Sequence, residues 1–142
     1  MNTGFLKMIE KILLTPKSQG LHEFTRQLER IIQESGLEQG LCTLFVKHTS
    51  CSLTIQENAD PSAKHDLENW MNQLVRENDP LYTHTFEGAD DMPAHIKSAL
   101  TATSLSIPFQ NGSLSLGTWQ GVFLWEHRQQ PNVRTIVVHL GS

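Results

Sequence analysis

The sequence predicts an α+β fold: one compact domain over residues 1–142, with an antiparallel sheet or sandwich and about three helices. Its 142 residues fall within the size of a single domain that buries its own core. Two Asp/Pro helix starts lie in the middle of the chain, and short β-type runs separated by turn residues fill its last third. The order of these segments lacks the regular βαβ alternation of a parallel sheet.

The first third of the chain predicts strand, helix and strand. Residues 5–14 predict a strand that ends at Thr15-Pro16. Apolar residues then recur at steps of three and four, which predicts a helix that ends at Gly36. The residues of this apolar stripe are Leu21, Phe24, Leu28, Ile31 and Ile32. Residues 41–47 and 52–56 predict strands, and the polar residues 48–50 between them fit either a bend in one strand or a turn between two.

Asp60-Pro61 predicts the start of the second helix, because an acceptor side chain stands at the cap and proline follows it. The apolar residues of that helix are Ala63, Leu67, Trp70, Met71, Leu74 and Val75. Asp91-Met92-Pro93 predicts a third, shorter helix. Antiparallel strands follow at residues 105–107, 114–116, 122–124 and 133–140, with turns at 111–112, 117 and 131–132. The last strand is apolar enough to lie inside a sheet.

Composition excludes two classes of partner. No apolar run approaches the roughly 20 residues that span a bilayer, so we expect no membrane segment. The net charge is −4 and the lysines and arginines form no cluster, so we expect no nucleic-acid partner. Small anionic ligands remain compatible with this charge.

The N-terminus and the cysteines predict a cytoplasmic protein. Lysines lie inside the first apolar stretch and no small-residue cleavage site follows, which is unlike a secretory signal. Cys42 and Cys51 are flanked by β-type sequence and have no metal-type spacing, so we expect buried free thiols in a reducing compartment.

Two stretches carry more polar chemistry than folding requires. HTSCSLTIQENADPSAKHD (residues 48–66) surrounds one strand and one helix start, and EGADDMPAHIKSAL (residues 87–100) surrounds the next helix start. Together with NGSLSLGTWQGVFLWEHR (residues 111–128), they resemble the YjbQ family, described as secondary thiamine-phosphate synthases. The resemblance runs nearly end to end. Ala102 and Phe109 depart from the family pattern, and neither position carries a polar group.

The resemblance implies a small α+β fold, a compact homotrimer and a polar site near subunit boundaries. It also implies an activity: an aminopyrimidine-methyl diphosphate is joined to a thiazole phosphate and diphosphate is released, at a low level, as a side activity. The wholly apolar run of residues 122–125 agrees with a trimer, since we expect part of it to be buried between subunits.

Departure of diphosphate needs positive charge or hydrogen-bond donors, which a magnesium ion held by Glu57, Asp60 and Asp91 would provide. A transition metal such as zinc, held by His48, His84 and His95, is the alternative. His95 is the first choice for a functional histidine, because an imidazole in the first turn of a helix is kept neutral by the helix dipole. The expected catalytic residues are His95, His48, Asp91 and Glu57.

A small phosphorylated or heterocyclic ligand is the expected partner. Its expected contacts are Thr49, Ser50, Asn58, Gly117, Thr118, Trp119, Gln120 and Arg128. Simpler roles compete with these: Asp60 and Asp91 also fit helix caps, Trp119 an anchor in a core or interface, and Arg128 a surface ion pair. His22, His65 and His139 are expected to be structural. The alternative function is a metal- or metabolite-binding trimer without a dedicated catalytic role.

Overall fold

The computed structural model describes residues 8–130 and 132–141, which form eight strands and three helices. The elements are β1 (Met8–Leu14), β2 (Gly20–Glu23), α1 (Thr25–Ser35), β3 (Gly40–Val46), β4 (Cys51–Glu57), α2 (Pro61–Leu74), α3 (Asp91–Leu100), β5 (Ser104–Gln110), β6 (Ser113–Leu114), β7 (Gln120–Glu126) and β8 (Arg134–Gly141). The predicted α+β class with antiparallel sheets and three helices is confirmed.

The strands form two antiparallel sheets that enclose the main core. The large sheet has the order β1-β8-β3-β5-β6, and the small sheet has the order β2-β7-β4. The apolar sides of both sheets and of α1 meet in one cluster, which includes Leu28, Leu44, Leu53, Leu124 and Ile136. A second cluster on the other face of the small sheet packs Phe123 and Trp125 against Met71 of α2 and against Val75, the residue that follows this helix. The small sheet is therefore covered on both faces.

The first predicted helix begins later than its apolar stripe indicates. Leu21 lies in β2 and pairs with Trp125 of β7, while Phe24 occupies the N-cap position of α1. The two residues belong to different clusters, Leu21 to the second and Phe24 to the main core. The spacing of Leu21 and Phe24 therefore fits a helical period, although neither residue lies inside the helix. The predicted end at Gly36 is confirmed by its left-handed φ of 71°.

The polar residues 48–50 connect two different strands. β3 pairs with β5 and β8 in the large sheet, whereas β4 pairs with β7 in the small one. The chain thus crosses between sheets at residues 47–50, which answers the question that the sequence left open. Residues 5–7 of the predicted first strand, and Pro131 of the predicted last turn, lie outside the described residues.

The helix starts of α2 and α3 differ from each other. Asp60 caps α2, since its Oδ1 accepts the N–H of Ser62 at 2.9 Å. Asp91, in contrast, is the first residue inside α3, and Asp90 precedes it at the N-cap position. The alternative interpretation of Asp91 as a cap is wrong, because its side chain is buried and bonded elsewhere.

The strands of the last third are longer or shorter than predicted, although all four exist. The predicted hairpin turn is confirmed at Asn111 and Gly112, whose φ values of 55° and 73° suit a tight turn between β5 and β6. β8 lies between β1 and β3, which confirms that it is interior. Residues 122–125 are buried within the chain itself, so they do not provide the exposed apolar surface from which a subunit contact is expected.

A buried ion pair joins the two sheets at one end. Arg134, at the start of β8, donates from Nε to Glu126 Oε1 at 2.6 Å and from its terminal nitrogen to Oε2 at 2.5 Å. Both side chains are almost fully buried. The same guanidinium approaches the carbonyl oxygen of Ser50 in the crossing segment at 3.5 Å.

Both cysteines are free and buried, as the sequence predicts. Burial raises the pKa of each thiol to about 12. Among the described residues, none of the three helices combines the length and the apolar character that crossing a bilayer requires.

Buried His127 predicts a pH-dependent stability. Burial, assisted by the charges of Lys97 and Arg134, lowers the pKa of His127 to about 3, whereas an unfolded histidine titrates near about 6.5. The unfolded chain therefore binds more protons than the folded chain between these values, and the free energy of unfolding falls as the pH is lowered from about 6.5. Urea denaturation between about pH 6.5 and 5 should show a loss approaching about 1.4 kcal/mol per pH unit for this group.

The variant His127→Gln should show a smaller slope. Some slope should remain, because burial and Arg134 also lower the pKa of His48. Equal slopes for the variant and the unsubstituted protein would contradict the assignment of this pH dependence to His127.

Candidate metal centre

Three side chains that favour metals converge at the start of α3. Asp91 Oδ2 lies 2.6 Å from His84 Nε2 and 3.2 Å from His95 Nε2. One ligand atom from each of the three residues lies within 4.8 Å of the others. In residues 8–130 and 132–141, this is the one group of three or more His, Cys, Asp or Glu side chains with such convergence.

The local sequence explains why these three residues meet. Asp91 and His95 are four residues apart on α3, and residues at that spacing lie on the same face of a helix. His84 comes from the irregular segment before the helix and lies against His95, with the ring centroids 5.3 Å apart. His95 lies on the second turn of α3, whereas the sequence predicts a place on the first turn.

Arg128, just after β7, fixes the position of the aspartates. It donates from Nη1 to Asp91 Oδ1 at 2.6 Å, from Nε to Asp90 Oδ2 at 3.1 Å, and from Nη2 to the carbonyl oxygen of Glu87 at 2.8 Å. The backbone N–H of Gln129 also donates to Asp90 at 2.8 Å. The guanidinium therefore belongs to the wall of the site and is not a simple surface ion pair.

These contacts keep both aspartates ionised. Burial alone would raise the pKa of Asp91, but the hydrogen bond from His84 and the charges of Arg128 and His95 outweigh it and hold the pKa below its usual value. For Asp90, burial is likewise outweighed by the hydrogen bonds from Gln129 and Arg128, and its pKa is also lowered. An ionised carboxylate is the state in which Asp91 can ligate a cation.

The donor set fits a transition metal better than magnesium. Two imidazole nitrogens and one carboxylate oxygen suit zinc or a similar ion, whereas magnesium prefers oxygen ligands throughout. His84, Asp91 and His95 would hold such an ion through two nitrogens and one carboxylate oxygen. The side chains of His84 and His95 remain 44% and 35% exposed, which leaves open coordination positions on the solvent side.

His48 lies elsewhere, beside the buried ion pair. Its Nε2 accepts the backbone N–H of Thr135 at 2.9 Å, and its Nδ1 lies 3.4 Å from Arg134. Burial, followed by the charge of Arg134, lowers its pKa. The predicted trio of His48, His84 and His95 is therefore not brought together within one chain. Thr49 and Ser50 stay with His48, along a shallow depression that they share with Phe45 and Lys47.

The remaining predicted residues form a separate polar group at the start of α2. Glu57 Oε2 accepts the N–H of Asp60 at 3.1 Å, and the N–H of Asn58 donates to the carbonyl oxygen of Trp119 at 3.0 Å. The side chain of Gln120 accepts the N–H of Gly117 at 2.7 Å. Trp119 is 64% exposed, and the side chain of Asn58 donates to Glu23. Thr118 is exposed in the same turn.

These contacts separate the predicted magnesium ligands within one chain. In the described part of the chain, Glu57 and Asp60 do not converge with Asp91 on one point. His22 lies on strand β2, although its place in the sequence predicts a helix.

The sequence predicts neither the role of Asp90 in the site nor the contacts of Arg128 with Asp90, Asp91 and Glu87. Two adjacent aspartates at residues 90–91 are a local signal, but the sequence does not show that Asp90 also binds the guanidinium of Arg128. The i, i+4 relation of Asp91 and His95 was a usable signal. The sequence does not predict that Arg128 contacts Asp90 and Asp91, because this contact depends on where β7 ends relative to α3.

The comparisons with known proteins agree with this fold. Residues 10–142 match the family described as "UPF0047 protein YjbQ-like". The "UPF0047 protein sll1880" of Synechocystis sp. is 54% identical over 94% of this chain and 90% of its own length. The "UPF0047 protein YjbQ" of Escherichia coli O157:H7 is 42% identical over 91% and 94% of the two chains.

A solved structure supports the same relationship. The conserved hypothetical protein TT1486 from Thermus thermophilus superposes with a TM-score of 0.83 and 37% identity, covering 92% of this chain and 98% of that chain. The match spans almost the whole chain in sequence and in structure, and the chain therefore belongs to the YjbQ-like UPF0047 family.

Proposed function

We propose that the protein is a metal-dependent enzyme acting on a small phosphorylated or heterocyclic substrate, with thiamine-phosphate synthesis as the activity to test first. The observation that carries this proposal is the convergence of His84, Asp91 and His95 in a half-exposed position. Three protein ligands with open positions are typical of catalytic metal sites, whereas structural sites are closed by a fourth protein ligand.

A divalent ion held there would supply positive charge to an oxyanion such as a departing diphosphate. Asp91 and the two imidazoles hold it, and Arg128 keeps Asp91 in place through Oδ1 while Oδ2 faces the histidines. A histidine nitrogen ligates a metal only when it carries no proton, so acid should weaken binding.

Metal binding without a dedicated catalytic role is the second candidate. One observation favours it: the Nε, Nη1 and Nη2 of Arg128 all donate to groups of the chain itself. Because these nitrogens already donate within the chain, the guanidinium does not present a free pair of N–H donors to a substrate phosphate. Under this candidate, the ligand of the site is the metal alone.

We propose that the chain is a homotrimer that uses the outer face of the large sheet. Four apolar residues on this face are strongly exposed: Ile9 and Leu13 of β1 by 69% and 65%, and Leu41 and Phe45 of β3 by 44% and 50%. Their neighbours along each strand face inwards and belong to the main core. The sheet therefore carries apolar side chains on both faces, although only one face is covered within the chain. A face of this kind is typical of a subunit contact.

His95→Ala should abolish stoichiometric binding of zinc, because only two of the three ligands remain. Folding should be retained, because the imidazole is 35% exposed and its removal opens no core cavity. Isothermal titration of metal-free protein with zinc, together with elemental analysis, measures the effect. His65→Ala is the matched control: it removes an exposed histidine from α2 that bonds only to Asn69.

Zinc binding that is equally strong in His95→Ala and His65→Ala would show that the centre is wrongly assigned. Binding that is lost in both variants would point to unfolding, which circular dichroism would reveal.

Asp91→Asn should reduce synthesis of thiamine phosphate and release of diphosphate by at least about 100-fold, because the substitution keeps the shape and deletes the charged ligand. Glu57→Gln is the matched control at the other polar group and should retain the rate, since Glu57 lies with Asp60 and not with Asp91. Synthesis of thiamine phosphate from the two substrates, followed by chromatography, is the measurement. A larger loss in Glu57→Gln would move the reaction to the start of α2.

Light scattering should give a mass about three times the 16.0 kDa of the chain. The double variant Leu13→Glu/Phe45→Glu should shift this mass towards the monomer, since it places two charges on the exposed sheet face. Leu81→Glu is the control, because Leu81 is 86% exposed in the loop before α3 and away from this face. A trimer that survives the double variant would place the contact elsewhere.

A further inference from the structure

The buried lysine of α3 has few partners for its charge. Lys97 is only 3% exposed, and its ammonium donates to Asn72 Oδ1 at 2.6 Å. An ammonium carries three N–H donors. Over residues 8–130 and 132–141, no carboxylate lies within the 4.0 Å of this ammonium that a salt bridge requires.

A polar cavity of about 130 Å³ lies beside this ammonium. It is formed by α2, α3, the start of β2 and the end of β7. Its walls include Lys97, Asn72, Trp125 and the carboxylates of Glu68 and Glu126. A water molecule takes about 30 Å³ of liquid volume, so the cavity has room for a small organic acid or for several waters.

Both carboxylates in the cavity wall have a cation of their own. Glu126 is paired with Arg134, and Glu68 is paired with Lys64 at 3.1 Å and accepts the N–H of Leu21 at 2.7 Å. Within the residues that the structure describes, the charge of Lys97 has no such close partner, since the carboxylates of Glu77 and Asp90 act on it only from beyond salt-bridge distance. A buried charge is costly unless an opposite charge or hydrogen bonds compensate it.

We propose that Lys97 is the anchor of a binding site for a small oxyanion, a carboxylate or phosphate group, in the cavity between α2, α3 and the end of β7. The oxyanion accepts the ammonium N–H groups that Asn72 does not use. The flat ring of Trp125, 6% exposed, forms an apolar wall for the rest of the ligand. Gln19 and Asn69 complete the polar part of the wall, and their amide nitrogens already contact the carbonyl oxygen of His127 at 2.9 Å and the ring of His65 at 3.0 Å.

This site is distinct from the metal centre, although both use α3. Lys97 follows His95 by two residues, so the two side chains leave the helix axis about 200° apart. An oxyanion in the cavity and a metal ion at the histidines therefore occupy opposite sides of one helix. The proposal does not depend on the proposed function.

Calorimetric melting of metal-free protein tests the site with three probes at constant ionic strength: acetate, inorganic phosphate and the neutral acetamide. A ligand that binds only the folded state raises its melting temperature. We expect acetate or phosphate at roughly 50 mM to raise it by about 2 °C or more, and acetamide to leave it unchanged. The stronger of the two anions identifies the acid group.

Lys97→Met should lose this rise, whereas Lys47→Met, which removes an exposed lysine, should keep it. The rise should also persist in His95→Ala, which separates the cavity from the metal centre. If Lys97→Met does not fold, the ε-methylene resonance of Lys97 in the unsubstituted protein replaces it, and acetate should shift this resonance more than that of Lys47. An equal rise in Lys97→Met, no rise in the unsubstituted protein, or an unshifted resonance would overturn the proposal.

Discussion

The buried pair of Glu126 and Arg134 is the contact on which the rest of the arrangement depends. It ties the end of the small sheet to the start of the large sheet, and the same carboxylate accepts the N–H of Arg128 at 3.1 Å. Removing one partner of such a pair costs about 3–5 kcal/mol, because the other charge is left buried. The buried pair therefore fixes the position of the backbone of Arg128, whose side chain contacts Asp91.

Helix α3 connects this core to the chemistry. Ala94 and Ser98 pack inwards, and Ser98 donates to the carbonyl oxygen of Cys51 in β4 at 3.2 Å. With that side fixed, Asp91 and His95 must face the segment that holds His84. The ionised state of Asp91 and the shape of the site are both present before any ligand arrives, so ligand binding has little ordering cost.

The sequence predicts the elements with strong local signals and fails where distant residues decide. Asp60-Pro61 predicts a helix start and Asn111-Gly112 predicts a turn, because the side chains and backbone of these residues favour those conformations by themselves. The sequence does not predict the strand position of Leu21. Leu21 and Phe24 are three residues apart, as on a helix, yet Leu21 packs in the second cluster and Phe24 in the main core. His48 was expected at the metal centre, yet the crossing between the sheets directs it to Thr135. No local signal in the sequence indicates that Lys97 is buried, because its enclosure depends on the contact of α3 with Asn72 of α2.

The two cysteines have a practical consequence. Cys42 and Cys51 are the only cysteines of the chain, and burial raises the pKa of both thiols to about 12. Alkylating reagents and disulfide exchange act on exposed thiolates, so neither residue offers a reactive target in the folded state. A cysteine introduced at the surface would accept a fluorophore or spin label selectively in the native protein, without prior removal of the natural thiols.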